Sequence, residues 1–199
     1  MKKIKKIIVL IIVVVCAFVY AHITKMNLIY DKTIDSSEYL SVGDIGGAEV
    51  EQNFQCRENT LDGIEVKCQI LGEVSDVIVH YNLVDNESGV VVAEGEKAAS
   101  EIESTKFNPF VFDTVMGCKD KSYKFVIWSE NTTDTDGVSF YYQEGVEDKT
   151  GLVIDGNDTQ GTMIMRTMTD RFDVETFSIV MIFAAFIYGF MKFLYKLFK

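Results

Sequence analysis

Between residues 52 and 168 the apolar positions recur every second residue rather than every three or four. Ile64, Val66, Cys68 and Ile70 alternate with Glu65, Lys67 and Gln69. Val77, Val79, Tyr81 and Leu83 alternate with Ile78, His80 and Asn82. Tyr123, Phe125 and Ile127 alternate with Lys124, Val126 and Trp128, and Val138, Phe140 and Tyr142 with Ser139, Tyr141 and Gln143. Successive side chains of a strand point to opposite faces, so this pattern predicts strands with one face in a core. Further short strands fit residues 49–55, 89–94, 107–113 and 161–168. Turn-prone groups separate them: Leu61-Asp62-Gly63, residues 85–89, residues 117–120, Thr135-Asp136-Gly137 and residues 155–158. About eight short strands so punctuated predict a mostly β fold, an antiparallel β-sandwich of the jelly-roll kind. The GDIGG run at residues 43–47 reads as a loop leading into the first of them.

The pattern changes at both ends. Residues 7–24 contain no charge and, as a helix, reach about 27 Å, close to the thickness of a hydrocarbon core. Lys2, Lys3, Lys5 and Lys6 precede them, which predicts a cytoplasmic N-terminus. The same stretch also fits a cleaved signal peptide, with Val19-Tyr20-Ala21 as the small-residue site before His22. Residues 176–191 form a second uncharged run, followed by Lys192, Lys196 and Lys199 and preceded by Asp170, Asp173 and Glu175. Lys192 is able to snorkel, extending the buried stretch to residue 195. Both charge asymmetries predict one topology: a two-pass protein of the cell membrane, both termini cytoplasmic and the centre outside. The expected organisation is an anchor (or signal peptide) over 1–24, a juxtamembrane linker over 25–47, an extracytoplasmic sandwich over 48–170, a transmembrane helix over 174–195 and a tail over 196–199. Ala185 and Gly189 form a small-xxx-small pair suited to close helix packing, and lipid-facing small residues are the plainer reading.

Charge sharpens this division. The whole chain carries −11, but seven of its 19 basic residues are the terminal lysines. The remaining 12 share residues 22–175 with all 30 acidic residues, a formal charge of −18 there. Such a domain repels nucleic acid and anionic headgroups, and it is compatible with cation-rich surroundings.

Five segments resemble a known domain: Gln52-Asn53-Phe54, Leu61-Asp62-Gly63-Ile64, the Leu83–Asp85 strand end with Gly89–Val91, the Phe-rich residues 107–112, and residues 123–129. Together they are similar to the extracytoplasmic jelly roll attached to multi-pass glycosyltransferases and cell-envelope polysaccharide proteins of Gram-positive bacteria. The resemblance implies a carbohydrate-facing or partner-facing role. The many membrane helices and the transferase domain of those larger proteins have no counterpart here, so their catalysis does not carry over.

Candidate chemistry is sparse. Trp128, the single tryptophan, is expected on the face opposite Tyr123, Phe125 and Ile127, where it would stack on a sugar ring or anchor an interface; packing beneath a loop is the alternative. Tyr141 is the second candidate ligand contact, with Tyr141 and Tyr142 facing opposite ways. Cys56, Cys68 and Cys118 permit one disulfide, Cys56–Cys68 being preferred because it spans an expected hairpin, against buried free thiols. Asp134 and Asp136 sit in a stretch faintly like a calcium loop, but Gln143 stands where that loop needs Glu. No Cys-X-X-Cys unit and no Gly-X-Ser-X-Gly elbow occurs, and the two histidines make zinc ligation improbable. The expectation is a non-enzymatic accessory protein of the bacterial cell envelope. It needs no cofactor and has the lipid bilayer and a glycopolymer or membrane glycosyltransferase as partners. The alternative is a structural or assembly subunit of a membrane or secretion complex without glycan affinity.

Overall fold

The computed structural model describes residues 2–42 and 47–198. Among these are helix α1 (Lys2–Tyr20), strands β1 (His22–Leu28), β2 (Leu40–Ser41), β3 (Val50–Gln55), β4 (Thr60–Leu71), β5 (Ile78–Asp85), β6 (Val91–Ala98), β7 (Phe107–Met116), β8 (Ser122–Glu130), β9 (Gly137–Glu144), β10 (Gly151–Ile154), β11 (Asn157–Thr159), β12 (Gly161–Met163) and β13 (Met165–Phe172), and helix α2 (Val174–Leu197). The chain divides into two compact units, Met26–Thr169 on the one hand and Met1–Lys25 with Asp170–Lys199 on the other.

The strands form two sheets. The first runs β1-β13-β4-β9-β12, with β7 also paired to β4 and β2 to β9; the second runs β11-β10-β3-β8-β5-β6. The pairings are antiparallel, for example Val50↔Ile127, Tyr81↔Ile127 and Ile64↔Phe110. Alternate residues of the central strands, β3, β4, β5, β7, β8 and β9 among them, meet in one core, where Phe54, Leu61, Ile64, Phe110, Phe125 and Ile127 are fully buried. At about 25 cal/mol per Å² of apolar surface, a core of this kind is what holds two such sheets face to face. Tyr81, Phe110 and Phe125 cluster at its centre, with the Tyr81 ring edge-on to Phe110 at 5.2 Å.

Two expectations change. Leu61-Asp62-Gly63 is not a turn but a bulge inside β4, where the pairing with β7 shifts between Leu61 and Gly63. A Cβ at Gly63 would fall 2.9 Å from the Phe110 carbonyl oxygen, so the glycine there serves close backbone approach. Nor is 25–47 a bare linker: it holds the end of β1, β2, and the buried Ile29 and Val42, whose N–H groups donate to Met165 and Phe140 carbonyls. Of the loop expected over 43–47, only Gly47 lies within the described residues. The other turns form as expected. Asp155-Gly156 closes a two-residue hairpin between β10 and β11 with φ of 48° and 74°.

Helix α2 is capped by Asp173, whose side chain accepts from the Glu175 N–H and the Thr176 hydroxyl. It is long and apolar enough to cross a membrane. The apolar part of α1 is shorter, Ile7–Tyr20, because the chain leaves the helix at Ala21 and His22 begins a strand. Where the two helices begin and end, the Asp173 N–H donates to the Ala21 carbonyl and Phe172 packs against Phe18, His22 and Phe177.

Candidate functional site

The outer face of the second sheet carries an open groove lined by aromatic and polar side chains. His80 on β5 lies opposite Trp128 on β8 and opposite Glu96 on β6; Asn82 lies opposite Glu94. Their strand neighbours Val79, Tyr81 and Ile127 are buried, so alternation sends His80, Asn82 and Trp128 outward, as expected for Trp128. The His80 and Trp128 rings stack with centroids 5.5 Å apart and planes 21° from parallel. Glu96 Oε2 stands 3.8 Å from His80 Nδ1, and Glu130 Oε2 stands 3.3 Å from Nε2. That Nε2 is shielded from solvent yet meets Glu130 outside hydrogen-bond geometry. His80, Asn82, Glu94, Gly95, Glu96 and Trp128 line an open groove of about 510 Å³.

Three features shape the groove. Trp128 offers an apolar ring, the face that packs on the C–H side of a pyranose. Asn82 offers an amide with both donors and acceptors, and Glu94 and Glu96 offer acceptors, the groups that fix hydroxyls in sugar sites. Below it, the Tyr81 hydroxyl donates to the Val111 carbonyl at 2.7 Å, which fixes the ring against Gly95. Beside it, Lys124 pairs with Glu51 at 2.6 Å across half-buried side chains, flanking the buried Val126. None of the six lining residues carries a hydroxyl or thiol nucleophile. The sequence marks His80 only as an outward residue between Val79 and Tyr81; its cross-strand registry with Trp128 comes from the structure.

Tyr141 does not share this surface. β9 belongs to the first sheet, and there the Lys67 ammonium sits between two rings, 5.0 Å from the Tyr39 centroid and 5.5 Å from Tyr141. The Arg166 guanidinium, paired with Glu65, lies 4.3 Å over Phe107, on which Tyr30 stacks at 5.9 Å. Tyr30 and Tyr39 come from the stretch between β1 and β2, so this cation–aromatic cluster holds that stretch on the sheet. Burial raises the pKa of both phenols, partly offset at Tyr30 by Arg166.

The preferred Cys56–Cys68 disulfide is not formed: all four cysteines are free. Cys56 follows β3 in the second sheet, whereas Cys68 sits in β4 of the first with its thiol turned to the Val66 carbonyl. The two strands pair with other partners rather than forming the expected hairpin. Burial pushes the Cys56 thiol up to about 11, and it raises Cys118 as well. Asp136, in the stretch likened to a calcium loop, instead accepts from the Glu73 N–H and the Thr133 hydroxyl, bonds that hold its carboxyl below the ordinary value.

Ala185 and Gly189 part company too. Ala185 joins Val9, Leu10, Val13, Met181 and Tyr188 around a cavity of about 420 Å³ between α1 and α2. A Cβ at Gly189 would meet nothing within 4 Å, so this glycine makes no close approach to α1. The helices therefore do not use the pair as one packing seam. Compared with protein-family models and with curated proteins, the chain matches none.

Proposed function

We propose that this protein is a non-enzymatic, membrane-anchored accessory protein of the bacterial cell envelope whose jelly-roll-like sandwich binds a glycopolymer in the Trp128 groove. The observation that carries the reading is the outward Trp128 ring beside Asn82, Glu94 and Glu96 in one open groove. The charge of the central region favours uncharged or amine-bearing glycans over phosphate-rich polymers. The lysine clusters at both ends support a two-pass topology with the sandwich outside, α2 and the apolar part of α1 being the spans. Uncharged hexose and N-acetylhexosamine oligomers, titrated against the full chain in detergent micelles, test the site. Trp128→Ala is expected to weaken binding about tenfold or more, at least 1.4 kcal/mol. Equal affinity in wild type and variant discards the groove. Protease added to intact spheroplasts tests the placement, since an untouched sandwich means it is not outside.

A second reading, a structural or assembly subunit of a membrane or secretion complex, is favoured by one observation: a Cβ at Gly189 would meet nothing within 4 Å among the described residues. A photocrosslinker at position 189 that captures a membrane protein, together with no glycan affinity, selects it.

A further inference from the structure

Two buried cysteines that the sequence did not pair come together at one end of the sandwich. Residues 56–59 carry the chain from β3 in the second sheet to β4 in the first, and residues 117–121 carry it back from β7 in the first to β8 in the second. These crossings lie side by side. The Cys56 N–H donates to the Lys121 carbonyl at 2.9 Å, the Asp120 N–H to the Cys56 carbonyl at 2.9 Å, and the Cys118 N–H to the Asn59 carbonyl at 3.1 Å. The Lys121 N–H closes back on the Cys118 carbonyl at 3.0 Å, so Cys118 opens a tight turn whose Asp120 and Lys121 are bonded to Cys56. Gly117 and Asp120 supply that turn with φ of 68° and 64°. The Cys56 thiol donates to the Glu58 carbonyl at 3.3 Å and the Cys118 thiol to the Val115 carbonyl at 2.8 Å, and the two thiols lie close enough for each to shift the other's titration. Both residues are buried in the core.

We propose that Cys56 and Cys118 are a disulfide-forming pair that ties the two crossings, and with them the two sheets, together. The bond forms by exchange with an external disulfide, such as glutathione disulfide or the disulfide of a thiol oxidoreductase. One cysteine thiolate attacks it and expels a thiolate, leaving a mixed disulfide; the second cysteine thiolate then attacks the mixed disulfide and expels the other. The two protons lost by Cys56 and Cys118 end on the two departing thiols. The protein pair is oxidised and the external disulfide reduced. Because both sulfurs are shielded in the native state, exchange takes place before this corner closes or when it opens. Cys68 has no part: it lies within β4, paired with Phe140 and with its backbone bonded to Thr105 and Lys106 rather than to either crossing. Occurrence of the bond in cells rests on the sandwich being outside, where disulfides persist; formation in a test tube does not.

The full chain, reduced and unfolded, is refolded into detergent micelles in a glutathione buffer rich in the disulfide form, then alkylated and digested. The expected product is a peptide pair joining Cys56 to Cys118, lighter than the two free peptides by two hydrogen atoms, with Cys68 alkylated only after unfolding. Cys68→Ser is expected to give the same crosslink, and the bonded protein is expected to melt at a higher temperature than its reduced form. Free thiols at both positions, or a bond to Cys68, overturn the proposal. Alkylation of whole cells before lysis is a separate readout: free thiols in cells with a bond in the test tube reject the external placement and leave the pair intact.

Discussion

The Gln52 side-chain oxygen accepts the Met163 backbone N–H at 2.6 Å, so a side chain of the second sheet completes the backbone of the first. Gln52 is fully buried, and its amide donates to the carbonyls of Asn53 and Gly151. It is a polar residue at an inward position of β3, where the period-two pattern calls for an apolar one. β12 is three residues long, and Gln52 gives its last N–H a partner. Gln52→Leu leaves that donor and the Gly151 carbonyl without this partner in a dry core. The expected cost is about 1–3 kcal/mol per unsatisfied group, read as a lower urea midpoint at unchanged slope. A Gln52→Leu protein as stable as wild type would show that the bond holds nothing together.

Gly95 is fixed by Tyr81. A Cβ on Gly95 would lie 2.4 Å from the phenol oxygen, and the hydroxyl is held by the Val111 carbonyl. Gly95→Ala must move the ring, and overpacking of this kind costs about 1–3 kcal/mol. Tyr81→Leu removes the obstructing ring, so the double variant is expected to lose less than the sum of the single losses. Simple additivity in chemical denaturation would refute the contact.

Lys67 holds the stretch between β1 and β2 through two aromatic faces rather than through a carboxylate. Lys67→Gln keeps length and polarity but not charge. Exposed cation–π contacts are each worth about 0.5–1 kcal/mol, so the variant is expected to be cleaved faster by protease within residues 31–38 and to lose about 1 kcal/mol. Unchanged cleavage there would assign the docking to Ile29, Val42 and the Tyr30–Phe107 stack instead.

Asp136 links acid stability to one turn. Its folded carboxyl titrates below the ordinary 3.8 because the Glu73 N–H and the Thr133 hydroxyl stabilise the charged form. A depressed acid contributes stability that is complete above its unfolded value and is lost as pH falls through its folded one. Asp136→Asn is therefore expected to lower stability at neutral pH and to flatten the loss below about pH 4, measured as urea midpoints from pH 7 to pH 2. A parallel pH profile in the variant would remove Asp136 from the acid transition.

Alternation alone was enough to find the main strands and to decide which way their side chains face, because the pleat has a fixed period and one face must be dry. It placed Phe125 and Ile127 inside and Trp128 outside, as the structure has them. It misread Leu61-Asp62-Gly63, since a glycine inside a strand and a glycine in a turn look alike until Phe110 is seen to approach.

The sequence by itself determined the acidic β-rich middle, the apolar ends, and the side of each strand on which a residue stands, for these follow from local pattern and charge. Only the tertiary structure decided who stands beside whom. That His80 flanks Trp128, that Tyr141 belongs to the other sheet, and that Cys56 meets Cys118 rather than Cys68 depend on strand order and crossover paths. Those are set by the joint packing of residues far apart along the chain, which no window of neighbouring residues contains.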